Sequence, residues 1–364
     1  EIECQQALCG MGREGPLTYI SGFAPLNAKR QLLEAAKLQR WGILIDEPAE
    51  DDNVPVLLSN PRWVSIISPL FKLLQILPGY HELDISPLFL IFLSIFFGII
   101  IGDAGYGSVY FLLALLAHKK LGPGLAEKSV FFLFYILSLC AIIWGLLTGT
   151  FFGHEWVVNA GYRPIIPALN DPKVMQAFCF FLGAFHLTLG HSWSAIIKAP
   201  ALTALADIGW ICILWAAFFL AKTLILGDSF VFFGKWLIIS GISLVVLFSN
   251  PGKNILKSIG SGVGTVALSL MNNFTDVVSY IRLFAVGLAG VAIGDAFNSM
   301  AGLLGQGGIW VTLAKVMITV LGHALCIILG PVSVLVHGIR LNVLEFSGHA
   351  NVFWSGNAYK PLKA

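Results

Sequence analysis

One arginine constrains this chain more than any other residue. Arg282 sits near the middle of the apolar run Gly264–Met300, where the period of small and apolar positions fits a helix. A charge at bilayer depth costs at least ~2.5–3.5 kcal/mol, and arginine cannot shed its proton to escape that cost. Helical spacing puts Asn272, Thr275 and Ser279 on the face of Arg282 on one side of it, and Val286, Ala289 and Ile293 on the other. Half of that face is wet and half dry. Asp276, Gly287, Gly290 and Gly294 form a neighbouring face open to close packing. The bland alternative is an arginine snorkelling to a headgroup, but the residues on both sides of it read as embedded.

The rest of the chain supports a membrane setting. Of 364 residues, 57% are hydrophobic and 12% charged, and the mean hydropathy is +0.82. This is the composition of a polytopic membrane protein. Acids concentrate at or before Asp84, and the apolar remainder carries the excess of lysine and arginine. Of Cys4, Cys9, Cys140, Cys179, Cys212 and Cys326, four sit in apolar runs and none shows paired CxxC spacing, so buried thiols are the default reading. The first residues read as mid-domain sequence, so a fragment or a processed chain is expected.

The expected fold is an all-α polytopic membrane protein of about eight transmembrane helices with a small α/β cytoplasmic N-terminal fragment. Residues 1–60 read as the end of a soluble α/β domain. Strands are expected at Thr18–Ala24 and Trp41–Ile45, flanking an amphipathic helix from Pro25 to Gln39 with Leu26, Leu33, Ala36 and Leu38 as its apolar positions. Residues 61–87 form a proline-punctuated linker, 88–349 the membrane domain and 350–364 a cytoplasmic tail. The apolar runs are Leu88–Ile101, Ser108–Ala117, Val130–Phe151, Val174–Ile197, Leu205–Leu226, Phe230–Phe248, the Arg282 run, and Ile309 to about Phe346. Between the first two stand Gly102, Asp103, Gly105 and Gly107, turn chemistry that favours a hairpin over one long helix. Asp103 is a candidate partner for freed amides there, with proton carriage as a second reading.

Under this count Lys119, Lys120, Lys128, Lys198, Lys253, Lys257, Lys360 and Lys363 share one side, and Arg163, Lys173, Lys222 and Lys235 the other. The excess places the head and tail in the cytoplasm. The last two runs exceed a bilayer's needs, so tilt is expected, with a kink at Gly330-Pro331.

A polar stripe runs along the final helix: Thr312, Lys315, Thr319, His323, Cys326, Gly330, Ser333, His337 and Arg340 at steps of three or four. Interhelical hydrogen bonding explains its Ser, Thr and His, and explains Lys315 and Arg340 poorly. His186 and His191, five apart, do not share a helical face and read as core or headgroup histidines; Asp207 reads as a helix-start acid. There is no Walker A loop, dinucleotide turn or HExxH, so no hydrolytic activity, cofactor or metal is expected.

Four ordered motifs carry a family resemblance. Ser279–Ala285 (SYIRLFA) resembles the S-Y-[LI]-R-L-[WF]-A signature of the a/I subunit of V-type and A-type rotary ATPases. Gly102–Gly107 resembles its G-D-x-G-x-G turn. His337–Phe346 resembles its H-x-[LI]-R-L-x-x-x-E-F end, and Pro78–Asp84 its P-x-Y-x-E-x-D segment. The resemblance implies a stator in a prokaryotic plasma membrane whose last two long helices face a rotating c ring. Its further partners would be peripheral-stalk subunits, a central-stalk adaptor and lipid, with no nucleic acid. It also implies two aqueous half-channels, with Arg282 as the essential arginine and Arg340 as the second. Ser279, Thr275, Asn272, His337, Ser333, His323 and Lys315 are candidate ion-path residues. Gly290 and Gly330 depart from eukaryotic members, which carry histidine and glutamate there, and this points to a prokaryotic relative. Straight antiparallel helices would separate the two arginines by ~18 Å in depth. The competing reading is a stand-alone secondary transporter with buried cations, which would carry an inverted repeat; none is visible. The sequence leaves H⁺ and Na⁺ both open.

Overall fold

A computed structural model describes residues 5, 9–49, 52–124, 128–153, 161–249 and 268–361. Cys4, Lys363, the loop around Lys253 and Lys257, and the start of the Arg282 run lie outside the described residues. The chain forms two compact units.

The smaller unit joins the N-terminal residues to residues 71–84 and the C-terminal segment. Its sheet is one antiparallel hairpin, β1 (Gly12–Glu14) with β2 (Leu17–Tyr19). Gly15, at φ 63°, precedes Pro16 in the two-residue turn, a conformation that suits hairpin twist. The expected strand Thr18–Ala24 is therefore cut to its first two residues, and Trp41–Ile45 is not a strand. Both stretches have strand composition, but a strand needs a neighbour, and among the described residues none pairs with residues 20–24 or 41–45. Leu44 is 86% exposed. Helix α1 (Lys29–Gln39) ends on Arg40 in the left-handed region, and only Ala36 of its expected apolar positions is buried. Glu82 gathers this unit. Its carboxylate accepts from the amides of Gly79 and Trp354 and from the Ser355 hydroxyl. Burial pushes its pKa up, and these bonds outweigh that and hold it below the usual carboxylate range.

The larger unit is helical. After α2 (Ser65–Leu74), the described residues contain α3 (Ser86–Ile101), α4 (Ala104–Leu121), α5 (Ser129–Thr148), α6 (Pro172–Lys198), α7 (Ala204–Leu226), α8 (Gly234–Phe248), α9 (Leu268–Leu303) and α10 (Ile309–His349). Each expected apolar run corresponds to one of α3–α10. Five of them, α5, α6, α7, α9 and α10, are long and apolar enough to cross a membrane; α3 and α8 are shorter apolar helices. Among the described residues five helices are thus candidate crossings by length and composition, where about eight spans were expected.

The chain reverses between α3 and α4. Gly102 ends α3 at φ 64°, and Asp103 caps α4. Asp103 is fully buried and accepts from the Tyr106 amide at 3.0 Å and the Gly153 amide at 2.8 Å. Both legs lie on α5, which glycine allows: a Cβ on Gly145 would stand 2.0 Å from the Ala104 nitrogen. Asp103→Ala would strand two buried amides at ~1–3 kcal/mol each. It is expected to lower the thermal unfolding midpoint in detergent clearly, and Asp103→Asn, which keeps one acceptor, by less.

Helices α6, α7 and α8 pack in sequence, and α9 packs on α3, α6 and α10. About half of the apolar windows of α6 and α7 is buried, against far less for α9 and α10, which leave broad flanks uncovered.

Pro331 lies inside α10 and has no N–H for the Ile327 carbonyl. Tyr110 of α4 supplies the missing donor, its hydroxyl reaching that oxygen at 2.9 Å. Gly330 makes the approach possible, because a Cβ there would stand 2.8 Å from the Tyr110 hydroxyl. Beyond the proline, hydrogen bonding widens to π-type over Val334–Gly338 and Leu341–Phe346.

Candidate functional site

Local backbone geometry prepares Arg282. At Tyr280 the helix tightens: the amide of Leu283 reaches the Tyr280 carbonyl, three residues back, at 3.0 Å. The Ser279 carbonyl is thereby released from its helical bond. Arg282 Nε donates to it at 3.0 Å. The guanidinium extends to α10, where Nη2 donates to Glu345 Oε1 at 2.5 Å. Arg340 Nε stands 3.6 Å from the same oxygen. Both arginines therefore meet one buried carboxylate, and the separation expected for straight helices does not occur. The widened turns of α10 lie just where it meets Arg282.

Among the described residues, three of the five Arg282 N–H bonds remain uncommitted, and its side chain is 24% exposed. It has a partner within its own chain and still keeps an open flank. Arg340 is more exposed, at 56%, while Glu345 is only 7% exposed and its Oε2 has no partner among the described residues.

The inward face of α9 is held by aromatic packing. Tyr280 is fully buried, and its hydroxyl lies 2.7 Å from His186 Nδ1. His186 in turn is stacked between Phe92 at 3.7 Å and Phe346 at 4.1 Å. Gly183 admits the Tyr280 ring, since a Cβ there would stand 2.6 Å from it.

The other expected site residues divide by location. Asn272 and Thr275 are exposed on α9, and Thr275 and Ser279 bond back to their own helix, at Met271 and Asp276. Ser333 and His337 are half-buried on α10, His337 within electrostatic reach of both arginines. His323 lies further along, its Nδ1 2.8 Å from the Tyr106 hydroxyl. Lys315 is half-buried near the other end of α10. The face expected to join Asp276 to three glycines is divided. Gly287 lies against the Ile99 carbonyl and Gly294 against Tyr106 and Gly153, while Asp276 pairs with His349 at 3.0 Å. Sequence reasoning passed over Glu345, Tyr280, Tyr106 and His349 as site residues. The acid five residues after Arg340 was the one available signal.

Long apolar helices around a buried carboxylate shared by two arginines make this a multi-pass helical membrane protein with a charged site on its last two helices. No protein-family model matches the chain. Curated relatives do. It is 35% identical over 387 residues to V-type ATP synthase subunit I of Borreliella burgdorferi, a match covering 100% of the chain and 63% of the relative. It is 34% identical over 366 residues to V-type ATP synthase subunit I 1 of Treponema pallidum, covering 95% and 58%. A-type ATP synthase subunit I of Methanocaldococcus jannaschii is 27% identical over 405 residues, with 97% and 56% covered. The chain is thus similar to proteins named subunit I of V-type and A-type ATP synthases, and spans about three fifths of the length of these relatives.

Proposed function

We propose that this chain is the ion-translocating, non-catalytic stator of a rotary ATPase, working against a ring of small subunits that each carry a carboxylate. The observation that carries this reading is Arg282: paired with Glu345, yet with three donors and an open flank to spare. In lipid a ring carboxylate stays neutral or ion-loaded, because desolvation penalises the bare anion. Beside Arg282 the anion is favoured. A pair at ~4 Å interacts by roughly 4 kcal/mol at an effective dielectric of 20, about three pKa units. That suffices to expel the ion and is weak enough for rotation to break. Glu345 holds the guanidinium in place between successive ring carboxylates, and Arg340 adds to the field.

The antiparallel packing of α9 and α10 supports a division of the path at Arg282. Asn272, Thr275, Ser279, Ser333 and His337 would serve one half-channel, and His323 with Lys315 the other. The ring, the peripheral stalk and the central-stalk adaptor are the partners of this reading, with head and tail in the cytoplasm of a prokaryote. Solubilising native membranes tests it. The chain is expected to co-purify with a small, hairpin-like proteolipid, and a chain that purifies alone and transports alone in vesicles would instead be a secondary transporter.

A further inference from the structure

Four polar groups form a line from α7 to α9, away from the arginine cluster. Asp207, in the first turn of α7, accepts from Lys198 Nζ at 2.8 Å through Oδ2. Its Oδ1 faces His191 Nδ1 at 3.4 Å. His191 Nε2 lies 2.8 Å from His349 Nδ1, and His349 Nε2 lies 3.0 Å from Asp276 Oδ2. Asp207, His191 and His349 are buried, while both ends reach outward, with side chains 39% exposed at Lys198 and 29% at Asp276. Asp276 stands less than two turns before Arg282, and its backbone carbonyl accepts from Ser279.

Counting hydrogens shows what this line holds. A neutral imidazole carries one N–H, and an ionised carboxylate none. Two neutral histidines therefore fill two of the three gaps and leave one where two acceptors face each other. One further proton fills all three. It also balances charge, because two carboxylates, one imidazolium and Lys198 sum to zero. The remaining charges nearby are Arg282, Glu345 and Arg340, further along α9 and α10.

We infer that Asp207, His191, His349 and Asp276 form a one-proton relay serving the arginine-bearing face. The inference rests on the rotary reading above. A proton taken up at His191 Nδ1 from the Asp207 side makes that ring an imidazolium. Its Nε2–H bond breaks as the hydrogen passes to His349 Nδ1. The His349 Nε2–H bond then breaks as that hydrogen passes to Asp276 Oδ2, leaving a neutral carboxyl beside the Arg282 face. Turning of the two rings restores the tautomers, and nothing is oxidised or reduced.

The test uses the intact complex in sealed vesicles, reading ATP-driven acidification, ²²Na⁺ uptake and ATP hydrolysis. Wild type is expected to acidify the vesicles in Na⁺-free buffer; Na⁺ uptake without acidification overturns the relay. His191→Gln and His349→Gln keep hydrogen-bonding ends but cannot pass a proton. Each is expected to cut acidification by ~100-fold with the complex still assembled, and added imidazole is expected to restore part of it. Gln variants that pump at the wild-type rate overturn the relay alone, provided Arg282→Ala in parallel is inactive. If Arg282→Ala also pumps normally, the rotary reading itself fails.

Discussion

Arg282→Ala is expected to abolish ATP-driven ion pumping by the assembled complex while ATP hydrolysis by the soluble sector continues uncoupled. Losing an interaction of roughly 4 kcal/mol corresponds to about a thousandfold in the ion-release equilibrium. Removing the guanidinium also removes the barrier that stops a loaded carboxylate from slipping between half-channels, so passive ion leak should rise. Arg282→Lys separates charge from geometry. Lysine keeps the charge, but its compact ammonium cannot bond the Ser279 carbonyl, Glu345 and a third acceptor in one plane. An intermediate pumping rate is expected. Vesicle acidification or ²²Na⁺ uptake alongside hydrolysis measures both variants, and normal coupled pumping by the alanine variant contradicts the proposed function.

Glu345→Ala is expected to be the most destabilising change at the site. It strips two guanidiniums of their shared counter-charge and leaves Arg282 half-buried without an anion. Breaking a buried pair by removing one partner costs ~3–5 kcal/mol. The loss should appear as a lower thermal midpoint and reduced assembly. Combining it with Arg282→Ala should recover part of the loss, because the unpaired charge goes too; a purely additive double mutant would show that the 2.5 Å pair is not coupled. Arg340→Ala should cost much less, being 56% exposed and 3.6 Å from the carboxylate.

Arg282 was legible because a charge inside an apolar run is conspicuous without any knowledge of contacts. The eight apolar runs were legible for the same reason, and their boundaries agree with helices to within a few residues. Gly102 and Asp103 could be read as a turn from local chemistry alone. Glu345 could not be read as the counter-ion, because an acid near the end of the last run looks like a headgroup-level charge. Its pairing with Arg282 depends on how two long helices cross and on the widened turns after Pro331. His349 met the same obstacle. Its contacts with His191 and Asp276 join residues far apart in the chain, and no spacing rule spans such distances. Thr18–Ala24 and Trp41–Ile45 mislead in the opposite direction, since strand-like composition carries no information about whether an edge is present to pair with.

The bond from Tyr110 to the orphaned Ile327 carbonyl has a mechanical consequence. Together with Tyr106 on His323, it rivets α10 to α4 at two points one turn apart. Sliding α10 lengthwise by a single turn, ~5.4 Å, would shear both rivets together. Drag on the bare flank of α10 would therefore pass into α4 and the glycine-packed α5 behind it, and the wall would bear torque as a braced beam rather than yield as a loose rod.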